Sequence, residues 1–304
     1  MNFRHSLRSV ALVVAVMFSA AVGASAQEKT KAGGKQDADG SRFAVLDGAR
    51  VHYKSLGKGK EAIVFVHGWT CNLDFWRMQT PAFAARTRVI ALDLPGHGRS
   101  DKPERVAYTM DLFARSVEAV MRDAGVRRAV LVGHSMGTPV VRQFYRRYPE
   151  KTLALVFVDG GLRPFAPRSV LEGFMASLRA DYKTASGQMV EGMLQPVKSD
   201  AVRAEIRAAM LSTPPHVGVG AMEGMMDEAN WKEDAIRVPV LSIHARSPFW
   251  PADYEEFLRR LAPDLDFQMW DGVSHFLMMD DPERFNRALA AFLDARKLPG
   301  RAKK

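Results

Sequence analysis

The sequence contains a single cysteine, Cys71, among 304 residues, so an internal disulfide is excluded. It has no internal repeat, and no His/Asp spacing typical of metal ligands. The formal net charge is +9, but the arginines are scattered through helical stretches such as RQFYRRYPEK at 142–151. No basic block is interleaved with exposed aromatics. This pattern indicates a solvated surface, and we expect no nucleic-acid partner.

The N-terminal residues have the pattern of a secretory signal peptide. Arg4 and Arg8 precede the apolar run VALVVAVMFSAAVGA, which is short for a stable membrane span and ends at Ala24-Ser25-Ala26. We therefore expect residues 1–26 to be removed after Ala26, leaving a periplasmic or secreted protein without a membrane span. An uncleaved N-terminal anchor is the alternative. Residues 27–42 are polar and glycine-containing, which predicts a disordered linker.

The rest of the chain alternates strand and helix patterns. FAVLDGARVHYKSLG predicts a hairpin around Asp47-Gly48. The continuous apolar runs EAIVFVHG, RVIALDLPGHG, RRAVLVGHS, KTLALVFVDGG, VPVLSIHA and DLDFQMWDG are typical of strands covered on both faces. Helical periodicity in VAYTMDLFARSVEAVMRDAG and PERFNRALAAFLDARKL indicates helices between and after them. The alternation predicts an α/β fold with a mainly parallel sheet.

One region breaks this alternation. Residues 162–236 show no strand pattern and contain methionine-rich helical stretches, which predicts a helical cap inserted between two core segments at 43–161 and 237–304. The cap methionines pack against the core, line an apolar pocket, or do both.

The stretch LVGHSMGTP at 131–139 holds a candidate nucleophile. Ser135 lies between Gly133 and Gly137, where a buried strand turns directly into a helix. Glycines on either side remove side chains that would clash at such a corner. The corner would present the serine hydroxyl to a substrate carbonyl.

Four motifs in this order resemble the α/β-hydrolase family. They are VHGW at 66–69, DLPGHGRSDKP at 93–103, GHSMG at 133–137 and VSHF at 273–276. The resemblance extends from Phe43 to the C-terminus. It implies a mostly parallel eight-stranded sheet flanked by helices, with a helical cap insertion.

The resemblance also implies catalytic roles. Ser135 is expected to be the nucleophile and His275 the base, because a serine hydroxyl needs a partner to accept its proton. The backbone N–H groups of Trp69 and Met136 are expected to form the oxyanion hole. His67, His97 and His134 are interpreted as structural.

The acid that orients the base is missing from its usual place. Most family members carry it after the strand matching VPVLSIHA, where this chain has Ala245-Arg246-Ser247-Pro248. Some relatives place the acid one strand earlier, which points to Asp159 at the end of LALVFVD. Asp253 is the main rival, and a dyad without an acid is the third possibility.

The type of reaction is inferred from the serine at position 135, since family members with dehalogenase or epoxide hydrolase activity have an aspartate at this position. The resemblance implies an exported hydrolase of a small-molecule carboxylic ester or lactone with an apolar group, acting through an acyl-serine intermediate without cofactor or metal. The expected pocket residues are Trp69, Phe165, Phe174, Trp250 and Phe276. Alternatives are a carbon–carbon bond hydrolase, a cofactor-free perhydrolase and a catalytically inactive binding module.

Overall fold

The computed structural model describes residues 40–164 and 166–301. The predicted signal peptide, Phe165 and residues 27–39 of the predicted linker lie outside the described residues. The first strand begins at Ser41, two residues before the expected start of the core. Ser41 belongs to the sheet because it pairs with Lys54 and its hydroxyl lies 2.9 Å from His52 Nε2. Within the described residues, no helix combines the length and apolarity needed to cross a membrane.

Eight strands form one sheet. They are β1 (Ser41–Leu46), β2 (Ala49–Leu56), β3 (Glu61–Val66), β4 (Arg88–Leu92), β5 (Arg128–His134), β6 (Thr152–Val158), β7 (Val240–Ala245) and β8 (Leu265–Trp270). Their order is β1-β2-β4-β3-β5-β6-β7-β8. The β1–β2 and β2–β4 pairs are antiparallel, and all later pairs are parallel. The predicted eight-stranded, mostly parallel sheet is confirmed.

The hairpin and the central strands follow from the local sequence. Asp47 and Gly48, the two turn residues, both have positive φ, as a tight two-residue hairpin requires. The central strands β3, β5 and β6 are buried along almost their whole length. The apolar side chains of these strands are buried on both faces of the sheet. This burial is the main source of stability in such a sheet.

Ten α-helices accompany the sheet within the described residues. They are α1 (Thr80–Ala84), α2 (Met110–Asp123), α3 (Gly137–Arg147), α4 (Arg168–Ala180), α5 (Tyr182–Leu194), α6 (Asp200–Leu211), α7 (Pro215–Met226), α8 (Tyr254–Leu261), α9 (Leu277–Asp280) and α10 (Pro282–Ala295). Helices α4–α7 all lie between β6 and β7, in the segment where the sequence predicts a cap. That they act as a cap stays a prediction.

The strand order determines where a site is expected. The chain passes from β3 to β4 on one side and then returns to β5 on the other side of β3. Loops that leave the carboxyl ends of β3 and β5 therefore diverge and leave a crevice between them. The VHGW loop follows β3 and Ser135 follows β5, so both predicted motifs lie at this crevice.

Candidate active site

Ser135 occupies a strained corner between β5 and α3. Its φ is +52°, a left-handed conformation that is uncommon for a residue with a side chain. A Cβ at Gly133 would lie 2.2 Å from the Gly137 carbonyl oxygen, and one at Gly137 would lie 2.5 Å from the Val66 carbonyl oxygen. Only glycine fits at either position. The corner is held by the Ser135 amide, which donates to the Val158 carbonyl at 2.9 Å.

A cavity of about 490 Å³ opens beside this corner, and its wall includes Ser135, Asp159 and His275. This volume falls in the roughly 300–1,000 Å³ range of small-molecule sites. The structure thus brings together three residues that are 24 to 140 positions apart in the chain.

Asp159 and His275 form a direct pair at this wall. Asp159 Oδ2 lies 2.7 Å from His275 Nδ1. The other carboxylate oxygen, Oδ1, accepts from the Ala245 amide at 2.8 Å and from the Trp250 indole at 3.3 Å. Asp159 is 8% exposed and, like Ser135, has a positive φ, +44°. These contacts hold the carboxylate against Nδ1 and leave Nε2 as the ring nitrogen for proton exchange.

Asp253 has a different partner. Its carboxylate pairs with the Arg163 guanidinium at 2.5 and 3.1 Å, and 58% of its side chain is exposed. The Arg163 hydrogen bond lowers the pKa of the Asp253 carboxyl. Of the two acids that the sequence leaves open, only Asp159 contacts His275 in the described part of the chain.

The predicted oxyanion donors lie at the ends of β3 and β5. Met136 is the residue before α3, where the helix dipole favours negative charge. Within residues 40–164 and 166–301, neither the Trp69 nor the Met136 amide donates a hydrogen bond to a protein acceptor. Both N–H groups are therefore available to an oxyanion. Their catalytic role stays a prediction.

The side chain of Trp69 corrects one pocket prediction. Its indole Nε1 donates to the Gly218 carbonyl of α7 at 2.8 Å, so the ring points to that helix and is not on the described cavity wall. Thr213 donates to the Thr70 carbonyl at 3.2 Å. These two bonds tie the loop after β3 to the α6–α7 region.

Of the other residues predicted for the pocket, two are not on the described cavity wall, one is, and one falls outside the described residues. Phe276 is fully buried against Phe75 and His134. It therefore supports the loop that carries His275 instead of lining the cavity. Phe174 packs on the core from α4 and is also absent from the described wall. Trp250 lies on the cavity wall, and its contact with a substrate stays a prediction, whereas nothing is described for Phe165.

The sequence offered the cap methionines as pocket residues without indicating which of them line the cavity. Met189 and Met193 of α5 line the cavity together with Met225 of α7. Met189 and Met193 are four residues apart, a spacing that places both on one helix face and was available as a signal. Phe249 and Arg246, from the turn after β7, also line the wall.

His134, interpreted from the sequence as structural, contacts the backbone of the base. Its Nε2 lies 2.9 Å from the His275 carbonyl oxygen, so it is the donor to that backbone group. The ring therefore links the serine corner to the loop that carries the base. Burial lowers the pKa of His134, as does the neighbouring His275, which keeps the ring neutral.

His67 has the predicted structural role. Its Nε2 accepts from the Leu94 amide at 3.0 Å and its Nδ1 lies 2.8 Å from the Gly68 carbonyl oxygen. This tautomer bridges the loops after β3 and β4. Burial lowers the pKa of His67.

The buried histidines predict acid sensitivity of the fold. Burial lowers the pKa of His97 to about 3 and that of His244 to about 4, from 6.5 in both cases. Between about pH 7 and pH 5 the unfolded chain binds protons that the folded chain does not, so stability falls as the pH decreases. Each of these two histidines is expected to lower the free energy of unfolding by about 2 kcal/mol over this range. Urea unfolding at the two pH values measures the change, and equal midpoints would contradict the neutral, buried state.

No group of three or more metal-ligating side chains occurs among the described residues.

Comparison with known proteins identifies the family to which this chain belongs. A family model described as the alpha/beta hydrolase fold matches residues 61–197. The 2-hydroxy-6-oxononadienedioate/2-hydroxy-6-oxononatrienedioate hydrolase of Paraburkholderia phymatum is 31% identical over 271 residues, which cover 82% of this chain and 93% of that protein. The chain belongs to the α/β-hydrolase family.

Other relatives of this α/β-hydrolase have different described activities. The dihydrolipoyllysine-residue acetyltransferase component of the acetoin cleaving system of Cupriavidus necator is 33% identical over 189 residues, 58% of the hydrolase and 50% of that relative. The hydrolase thus matches only half the length of that relative. The solved structure of Est816, described as an N-acyl homoserine lactone degrading enzyme, has a TM-score of 0.71 at 27% identity and covers 83% of the hydrolase and 100% of that chain.

Proposed function

We propose that this α/β-hydrolase is an exported serine hydrolase that cleaves a carboxylic ester or lactone with an apolar group through an acyl-serine intermediate. The observation that carries the proposal is the 2.7 Å contact between His275 Nδ1 and Asp159 Oδ2 on the cavity wall that also holds Ser135. An imidazole oriented in this way is the partner that a serine hydroxyl needs to become a nucleophile.

The proposed reaction has two halves. Ser135 Oγ attacks the substrate carbonyl while His275 Nε2 takes its proton, and the Trp69 and Met136 amides bind the oxyanion. The protonated imidazole, stabilised by Asp159, then gives its proton to the departing alcohol oxygen. Water attacks the acyl-serine in the second half, with His275 again taking a proton and returning it to Ser135.

The cavity wall supports an apolar substrate group. Met189, Met193 and Met225 present flexible thioether side chains, and Trp250 adds an aromatic surface. The similarity to Est816 supports lactones beside open-chain esters. Export rests on the sequence pattern of residues 1–26.

Carbon–carbon bond hydrolysis is the second candidate. It is favoured by the 31% identity with the Paraburkholderia phymatum hydrolase, which extends over 93% of that protein. The same nucleophile, base and acid would serve both reactions, so the residues alone do not separate them.

A substrate panel together with a serine-directed probe tests the proposal. We expect the protein to hydrolyse 4-nitrophenyl esters and lactones faster than it cleaves vinylogous 1,5-diketones, which model the carbon–carbon substrates. A fluorophosphonate probe is expected to label Ser135, because the oriented imidazole makes it nucleophilic.

The Ser135→Ala variant is the control for labelling, and it should remain folded and unlabelled. Folded wild-type protein that is not labelled and cleaves no ester would support a binding module instead. Labelling with faster cleavage of the diketones would support the second candidate.

A further inference from the structure

The turn after β7 holds a cation where most family members have their acid. Arg246 follows the last residue of β7, and its amide donates to the Trp270 carbonyl of β8 at 2.8 Å. The backbone of Arg246 is therefore fixed to the sheet. Because Asp159 of the preceding strand contacts His275, this turn does not have to supply a carboxylate, and Arg246 lies on the cavity wall.

The guanidinium of Arg246 retains free hydrogen-bonding capacity. Its Nε donates to Asp271 Oδ1 at 2.6 Å, and the two side chains are 61% and 75% exposed. Within the described residues, its two terminal nitrogens donate no hydrogen bond to protein. An exposed ion pair of this kind contributes little, so rearrangement to bind a ligand has a low cost.

Arg163, the other described cation of the wall, differs from Arg246. Both of its terminal nitrogens bind Asp253, and its guanidinium stacks on the rings of Tyr254 and Phe257, 5.4 and 5.0 Å from their centroids. The Arg163 guanidinium is thus engaged in local contacts, but it still adds positive charge to the cavity wall. Asp159 is the one described acidic residue there, and its carboxylate is occupied by three donors.

We propose that the cavity selects esters or lactones whose acyl or alcohol part carries a carboxylate, and that Arg246 binds this group. A planar guanidinium with two free terminal nitrogens matches a carboxylate bidentately. The apolar methionines would contact the chain between the scissile bond and the carboxylate. This inference rests on the proposed ester hydrolysis and adds the charge of the substrate to it.

Matched ester pairs measure the preference. On the acyl side, mono(4-nitrophenyl) adipate and suberate are compared with 4-nitrophenyl hexanoate and octanoate. On the alcohol side, 4-acetoxybenzoate is compared with its methyl ester. The pair used is the one with the larger anionic-to-neutral ratio of kcat/KM in the wild type. For this pair, Arg246→Gln is expected to lower that ratio about tenfold, which is the effect of losing a charged hydrogen bond. The ratio of the wild type should also fall when NaCl is raised from about 0.05 to about 0.5 M.

Two variants serve as controls. Arg122→Gln removes an arginine of similar exposure, 64%, from an ion pair on α2, and it should leave the ratio unchanged. Asp271→Asn removes the competing carboxylate and should raise the ratio.

The outcomes separate the two proposals. Hydrolysis of neutral esters with the same ratio in wild type and Arg246→Gln would overturn the carboxylate inference and leave ester hydrolysis standing. Failure to hydrolyse any ester or lactone, neutral or anionic, would overturn the proposed function and the inference with it.

Discussion

Asp159→Asn is expected to lower kcat about 10⁴-fold while the protein stays folded, the scale seen when an orienting carboxylate becomes an amide. The Asp159 carboxylate accepts from His275 Nδ1 and from the Ala245 amide. An asparagine can keep its oxygen on the Ala245 amide, but its NH₂ group then faces Nδ1. That donor would favour the tautomer with the proton on Nε2, which cannot accept the Ser135 proton. Steady-state kinetics on the best ester and the thermal midpoint provide the two measurements.

Asp253→Asn is the matched control for this variant. Asp253 is exposed and paired with Arg163, so its loss should change kcat by no more than about twofold. A large loss of kcat in Asp253→Asn, together with near-normal turnover in Asp159→Asn, would assign the acid to position 253. Near-normal turnover in both variants would favour a dyad of Ser135 and His275.

His275→Ala is expected to lower kcat by roughly 10⁴- to 10⁶-fold, as removal of a general base does in a serine triad. Without the imidazole, no other histidine on the described cavity wall can take the Ser135 proton at neutral pH. Labelling by a fluorophosphonate should slow in parallel, because it depends on the same hydroxyl. Rates of turnover and of labelling, measured on the same preparation, check both expectations.

His216→Ala provides the control, because His216 is exposed on α7 and absent from the described wall of this cavity. It should retain wild-type turnover. If His275→Ala retained turnover within about tenfold of the wild type, a general-base role would be ruled out, since such a role supplies about 10²- to 10⁴-fold or more.

Local patterns were enough to predict the elements that place the site. The Asp47-Gly48 hairpin, the buried parallel strands and the Ser135 corner each depend on a few neighbouring residues. Turn residues, hydrophobic periodicity and the placement of glycines act over such short ranges. These features can therefore be predicted from a single sequence. The order of the four motifs then predicted that Ser135 and His275 lie at one edge of the sheet.

The direction in which a side chain points was not predicted by the local sequence in the same way. Trp69 and Phe276 are aromatic and close in sequence to predicted site residues, yet one points to α7 and the other is buried under the histidine loop. Met189 and Met193, from a helix far along the chain, lie on the cavity wall instead. Residue type predicts burial, but which elements face the cavity depends on how α4–α7 pack.

The sequence by itself determined the α/β fold, the strained corner at Ser135 and the absence of a carboxylate from its usual place after β7. Only the tertiary structure decided that Asp159, and not Asp253, contacts His275, and that Arg246 lies on the wall of the cavity. The physical reason is the large separation in sequence between the residues that make these contacts. A hydrogen bond between residues 116 positions apart forms only once the strands are aligned in the sheet, and no local pattern specifies that alignment.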